Sequence, residues 1–385
     1  MLPYGRQDIQ KEDIDSVISV LESDYLTQGP VVPKFEEAIC KYVGASFGVA
    51  ANSATSCLHI ACMALELSKG DILWTSPITF VASSNCALYC DARVDFVDID
   101  PVSFNICPIE LKNKLKKASI SGELPKILVA VHMAGQSPEM KEIFNLSQEY
   151  GFKIIEDASH AIGASYLNSK IGNCRFSDVT IFSFHPVKII TTLEGGIALT
   201  NCKYLASKMS ILRTHGVTRD HNMMENDSHG DWYYEQIDLG YNYRMTDLQA
   251  ALGISQLTRI DSYIERRHEI ANIYNNELSL LPLDIPIQNQ NTYSSFHLYI
   301  IQLDLSKLEK SHQEIFQLLK KNGLGVNLHY IPVHFHPYYQ KLGFKKGDFP
   351  KAEFYYKRAI SIPIFPRMTD GDINFVISTL KEVIN

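Results

Sequence analysis

Apolar residues recur at helical spacing over residues 8–22 (Ile9, Ile14, Val17, Ile18, Leu21), and PKFEEAICKYV (33–43) repeats the pattern with Pro33 near its start. NSATSCLHIACMALEL opens on Ser and Thr and continues with an apolar face of Leu58, Ala61, Cys62 and Leu65, which predicts a third helix. From there to about residue 200 short β-rich runs alternate with helical stretches: WTSPITFVAS, RVDFVDI, KILVAVHMA, a helix near 138–150, FKIIEDA, DVTIFSF and GGIALT. Near-continuous apolar strands separated by helices are buried on both faces, so the pattern predicts an α/β fold with a mostly parallel central sheet flanked by helices. After LGYNYRMTD a long helical pattern begins (Leu248, Ala251, Leu252, Leu257, Ile260, Ile264). Past about 270 the texture changes to HLYIIQLDL, a helix near 311–322 and VNLHYIPVHFHP. We read a large domain over 1–250 and a smaller C-terminal α/β domain over 251–385, with the boundary inside 245–275.

Composition narrows the partners more than the fold. The 385 residues hold 36 Lys and Arg against 43 Asp and Glu, a net charge of −7, so no general field attracts polyanions and nucleic acid is not an expected partner. A single phosphorylated ligand is compatible with that balance. The eight cysteines form no C-x-x-C pair and read as reduced, mostly buried small residues. The start MLPYGRQDIQKEDID lacks the regions of a secretory signal, and the longest apolar runs are too short to span a bilayer, so a cytoplasmic protein is expected. His329, His334 and His336 fit no metal-ligand spacing, and no metal is expected.

The chemistry concentrates in DVTIFSFHPVKIITTLEGG, which places Lys188 just beyond a strand end. Ligands of open α/β sheets bind in the crevice there. A lysine desolvated in such a crevice can lose its charge and attack a carbonyl, although a lone lysine is more often a solvated loop residue. Three other features alter that balance. FKIIEDASHA ends a buried strand in Asp157, a carboxylate able to keep a pyridine nitrogen protonated or, equally, to cap the next helix. NSATS offers amides and hydroxyls at a helix N-terminus, a phosphate site or a plain cap. Ser183 supplies another hydroxyl on the lysine turn. Arg213, His215 and Arg219 form a small basic cluster that suits either a phosphate or solvent. No G-x-G-x-x-G occurs in the chain, which argues against a nicotinamide-dependent sugar-nucleotide enzyme of the same texture.

Taken together, SFHPVKIITTLEGG, EDASHAIGA, NSATSCLHIA, TSPITFVASSN, LRTHG and LGYNYRMTDLQAALG resemble the sugar aminotransferases of the DegT/DnrJ/EryC1/StrS group, from about residue 3 to the C-terminus. The resemblance implies a fold type I enzyme dependent on pyridoxal 5'-phosphate and a ping-pong transamination. Lys188 would form the Schiff base with the cofactor and shuttle protons, and Asp157 would bind the ring nitrogen. Ala54, Thr55 and Ser183 would hold the phosphate, Phe80 would stack on the ring and His160 would lie beside it. Asn242 would reach the cofactor phosphate of a neighbouring subunit, making the working unit a homodimer with shared sites. Contacts to the sugar nucleotide carry over to Tyr4, Asp24, Tyr25, Leu26, Thr27, Asn327, Leu328, His329 and Tyr330. LPYGRQDI, DYLTQGP, NSATS and the unbroken SFHPVK resemble most the members that aminate a UDP-linked keto sugar, with L-glutamate as donor, to UDP-4-amino-4,6-dideoxy-N-acetyl-β-L-altrosamine on the way to pseudaminic acid. Ile189 stands where a proline is usual, which predicts a less rigid turn. Some members replace the lysine by histidine and become dehydratases, a branch that Lys188 argues against.

Overall fold

Seven short, mostly buried runs pair into one sheet in the computed structural model, which describes residues 1–384. They are β1 (Phe47–Ala51), β2 (Ile72–Thr75), β3 (Arg93–Phe96), β4 (Ile127–Val131), β5 (Lys153–Asp157), β6 (Val179–Ser183) and β7 (Gly196–Thr200). The spatial order is β1-β7-β6-β5-β4-β2-β3. Strands β3, β2, β4, β5 and β6 run parallel, and β7 is antiparallel to both its neighbours. Parallel neighbours need crossovers, and helices supply them: α3 (Ala54–Ala64), α4 (Ala82–Tyr89), α5 (Pro108–Ser121) and α6 (Met140–Tyr150) each follow one strand and precede the next. Two connections lack a helix: β5 to β6, which carries a short hairpin over Ser165–Lys170, and β6 to β7, in which Lys188 lies.

The two faces of the sheet build two cores through the period-2 alternation of strand side chains. Leu73, Ile155, Ile181 and Ala198 enter one core with α3, α4 and α7 (Lys203–Leu212). Their chain neighbours Trp74, Ile154, Phe182 and Ile197 enter the other with α2 (Val31–Val43), α5 and α6. The N-terminal α1 (Lys11–Leu21) packs on α8 (Asp247–Leu257), and the buried Asp13 of α1 accepts from Arg259, Ser255 and Gln256 at 2.6–2.8 Å.

The helical pattern after residue 247 divides at Thr258–Arg259 into α8 and α9 (Ile260–Leu278). Helix α9 gives Ile260, Tyr263 and Ile264 to the second core and Ile270, Tyr274 and Leu278 to a third. That third core also holds β9 (Tyr299–Leu303) and β10 (Ala359–Ile362), which pair with each other and, through β9, with β8 (Leu283–Asp284), under α10 (His312–Lys321) and a C-terminal helix over Asp370–Ile384.

The expectation of a β-rich run over WTSPITFVAS needs correction. In WTSPITFVAS only Trp74 and Thr75 belong to β2; Ser76 Oγ then accepts the amide of Ile78 at 3.2 Å, and with Pro77 unable to donate the ladder stops. Phe80 therefore sits in a loop. VNLHYIPVHFHP holds one bridge, Asn327 to Ser361, and a 3₁₀ turn over Val333–Phe335, because Pro332 and Pro337 interrupt it. Among the described residues no helix is long and apolar enough to cross a membrane.

Candidate active site

A cavity of about 580 Å³ opens at the carboxyl ends of β4, β5 and β6. Of the residues singled out from sequence, Tyr4, Ala54, Thr55, Phe80, Asp157, His160, Ser183, Lys188, Asn327, Leu328, His329 and Tyr330 line it together. They come from positions up to 326 residues apart, from the sheet's connections, the N-terminal segment around Tyr4 and the C-terminal segment over 327–330.

The β6–β7 connection is built to present Lys188. Phe184 N donates to Gly195 O at 2.9 Å, and the carbonyl of Phe184 accepts Thr192 N at 3.0 Å and Thr191 Oγ1 at 2.9 Å. Ile189 and Ile190 are buried in the second core and anchor the segment from below. Apolar burial and these bonds hold the turn where proline was the expected stiffener. Burial drives the Lys188 amine down to about 8, with Asp157 pulling in the opposite direction. At pH 7 about a tenth of such an amine is neutral, against well below a thousandth for an ordinary lysine. Cofactor capture by the cofactor-free protein should therefore accelerate with pH and level off above about 8; a stopped-flow profile still rising at pH 10 would contradict it.

Asp157 ends β5 with both oxygens engaged. Oδ1 accepts from Ser159 N at 3.2 Å and Ser159 Oγ at 2.5 Å, and Oδ2 accepts from Ser83 Oγ at 2.5 Å. Its neighbour Glu156 points to the opposite face, where His132 lies 2.9 Å away and Ser177 and Thr180 donate. Burial opposes the Glu156 charge, but those partners outweigh it and hold the carboxyl below its usual range.

At the other end of the cavity Ser53 caps α3, accepting the amide of Ser56 at 3.1 Å. The amides of Ala54 and Thr55, in the first turn, have no partner within the helix. Ser183 pairs in register with Gly196, and a Cβ on Gly196 would lie 2.5 Å from Ala54 N, so only glycine lets β7 pass under this helix end. A carboxylate, a helix N-terminus with hydroxyls and a desolvated lysine lining one cavity fit pyridoxal phosphate by donor type.

Neutral aromatic groups form the remaining wall. His160 Nε2 lies 3.0 Å from the Tyr330 hydroxyl, and burial, then the neighbouring Lys188, holds its imidazole well below the usual value. His329 is held down to about 3 by burial and Lys188; its Nδ1 lies 2.8 Å from Ser361 Oγ and its ring 5.1 Å from that of Tyr4. Phe80 is 59% exposed at the mouth, its ring 6.3 Å from Tyr330.

Several expected residues lie elsewhere. Asp24, Tyr25, Leu26 and Thr27 occupy the exposed α1–α2 loop, where Thr27 bridges Thr246. Asn242 is exposed and bridges Thr214. None of the five lines the cavity of a single chain. Arg213 is spoken for by Glu36 at 2.5 Å and Ala50 O at 2.6 Å, and Arg219 lies over Tyr234. His334 is buried against Glu353 at 3.1 Å.

Sequence reasoning missed His297, Thr79 and Ser159, which also line the cavity. His297 is a single histidine at the entrance to β9 and offered no spacing signal, whereas the hydroxyls of TSPITFVASSN stand where a buried run should be apolar and were a readable anomaly.

The DegT/DnrJ/EryC1/StrS aminotransferase family model matches residues 7–381. The chain belongs to that family. It is 41% identical, over all of this chain and 98% of the other, to an uncharacterized protein, MJ1066, of Methanocaldococcus jannaschii. To the UDP-4-amino-4,6-dideoxy-N-acetyl-beta-L-altrosamine transaminase of Campylobacter jejuni it is 39% identical over all of this chain and 98% of the other. The fold superposes on Helicobacter pylori PseC, an aminotransferase involved in the biosynthesis of pseudoaminic acid, with a TM-score of 0.90 at 30% identity, covering 100% of this chain and 99% of that one. The protein is a sugar aminotransferase of fold type I with pyridoxal phosphate as cofactor, as the resemblance implied.

Proposed function

We propose that this family member transfers the amino group of L-glutamate to the 4-keto carbon of a UDP-linked 4-keto-6-deoxy-N-acetylhexosamine of the L-altrosamine type, in pseudaminic acid biosynthesis. The observation that carries the chemistry is the meeting of Lys188, Asp157 and the α3 N-terminus in one cavity. The choice of sugar is supported by the Campylobacter and Helicobacter relatives, each matched over nearly its whole length.

Bound pyridoxal phosphate supplies an electron sink that makes the α-proton of an amino acid removable. Every other step falls to this chain. The amides of Ala54 and Thr55 with the hydroxyls of Thr55 and Ser183 hold a phosphate dianion at the positive end of α3. Asp157, clamped by three donors, holds a proton on the ring nitrogen. Lys188 would anchor the cofactor and, when released as an amine, take the proton from the donor's α-carbon at Nζ and pass it on to the cofactor's aldehyde-derived carbon within the same half-reaction; in the opposite half-reaction it would carry a proton from that carbon to the sugar's C4. The neutral wall of His160, His329 and Tyr330 faces the sugar side without adding charge. Tyr4, Asn327 and Leu328 complete that side.

The exposed Asn242 and the Asp24–Thr27 loop act in this reading across the two-fold interface of a homodimer, on the partner's cavity. Glutamate alone should bleach the visible lysine–cofactor band and release 2-oxoglutarate in one equivalent. Adding the UDP-linked 4-keto-6-deoxy sugar of L-altrose configuration should restore the band and yield the 4-amino sugar by mass spectrometry. Faster turnover on the D-glucose-configured 4-keto sugar would reject the substrate while leaving the aminotransferase intact.

A further inference from the structure

Helix α4 buries two hydroxyl residues, Ser83 and Ser84, completely, and Thr79 just before it is 2% exposed. A buried hydroxyl is costly unless it is hydrogen-bonded, so each needs a purpose. Ser84 has one in the packing, since its Oγ bonds Val81 O at 2.9 Å and the hydroxyl of Tyr339 at 2.6 Å. Ser83 turns the other way. Its Oγ donates to Asp157 Oδ2 at 2.5 Å and lies 2.7 Å from Thr79 Oγ1.

Hydrogen counting fixes the direction of this chain. An ionised carboxylate only accepts, so the Ser83 proton goes to Asp157, and Thr79 must donate to Ser83. Oδ1 of Asp157 is held locally by Ser159, two residues on, whereas the bond to Oδ2 spans 74 residues and comes from a different crossover. Ser159 restrains Oδ1 from within the same loop, and the bond from Ser83 to Oδ2 restrains the opposite oxygen from a separate element, so rotation about the Cβ–Cγ bond must break bonds on both sides.

We propose that Ser83, itself oriented by Thr79, is a positioning residue that fixes the plane of the Asp157 carboxylate and thereby its alignment with the cofactor's ring nitrogen. The proposal rests on the reading that Asp157 faces that nitrogen. Neither hydroxyl touches the reacting atoms. A bond to a charged group sets the scale of the effect: losing it should lower kcat and weaken cofactor retention by roughly tenfold, with the KM for the nucleotide sugar unchanged.

The test uses holoenzyme reconstituted with ¹⁵N-labelled pyridoxal phosphate, reading the ring-nitrogen resonance in Ser83→Ala, Ser83→Thr, Thr79→Val and Asp157→Ala. Ser83→Ala should move the resonance toward the unprotonated position, Thr79→Val should move it less in the same direction, and Ser83→Thr, which keeps the hydroxyl, should restore it. A Ser83→Ala resonance at the wild-type position, with Asp157→Ala displaced, overturns the positioning role and leaves the Asp157 reading standing. An unmoved Asp157→Ala resonance overturns that reading itself. A Ser83→Thr resonance matching Ser83→Ala would mean that side-chain volume, not the hydroxyl, matters, and would also overturn the proposal.

Discussion

Lys188→Arg should abolish transamination while leaving the protein folded. The substitution keeps a positive charge and a long side chain, but guanidinium stays protonated across the whole working range and so cannot act as a nucleophile or take up a proton. The wild-type amine, driven down to about 8 by burial, can do both. General acid–base catalysis alone accounts for up to about 10⁴-fold, so the loss in kcat should reach at least that order. Lys188 makes no ion pair among the described residues, so circular dichroism and thermal unfolding should change little. The visible band of the lysine–cofactor linkage should be missing. A Lys188→Arg protein that turns over within tenfold of wild type, or that still shows that band, would remove Lys188 from its role.

The sheet was readable because its physics is local. Strands buried on both faces must be apolar nearly throughout, and ILVAV (127–131) and VTIFS (179–183) are readable one residue at a time. Lys188 and Asp157 were legible only as part of a joint pattern, since a lone lysine suits a solvated loop and a lone strand-end aspartate suits a cap; the structure brings both to one cavity. Legibility ended where position depends on the third dimension. WTSPITFVAS looks like one extended run because Ile78, Phe80 and Val81 favour strands, yet Ser76 and Pro77 end the ladder, and Phe80 is delivered to the cavity mouth by a loop. His297 is placed at the wall by the buried Arg267, whose guanidinium bonds the carbonyls of Phe296 and His297 from 29 and 30 residues away, and no periodicity encodes that. The loop Asp24–Thr27 and Asn242 show a third kind of limit. Their backbone settings, bridged to Thr246 and Thr214, are complete in one chain, and the roles assigned to their side chains belong to the proposed homodimer.

Asp157→Asn should be the second most damaging change, and it separates charge from shape. Asparagine fills the same volume and its carbonyl oxygen can still accept from Ser83 or Ser159, so the end of β5 should stay in place. It presents no negative charge, and a ring nitrogen beside it loses the partner that keeps it protonated. Breaking a buried charge pair costs about 3–5 kcal/mol, which corresponds to roughly 10²–10⁴-fold in rate if the pair is complete only when the ring is charged. The loss should appear in kcat for both half-reactions, because the ring nitrogen serves each equally, whereas the KM values for glutamate and for the sugar nucleotide should stay near wild type. Asp157→Ala should go further. It removes the acceptor that Ser83 and Ser159 share, leaving Ser83 only its Thr79 neighbour, so cofactor retention and thermal stability should fall together. Steady-state kinetics on the three proteins, with cofactor occupancy measured for each, provides the check. An Asp157→Asn protein that retains more than a tenth of wild-type kcat at full occupancy would mean that the carboxylate's charge is not what the reaction uses.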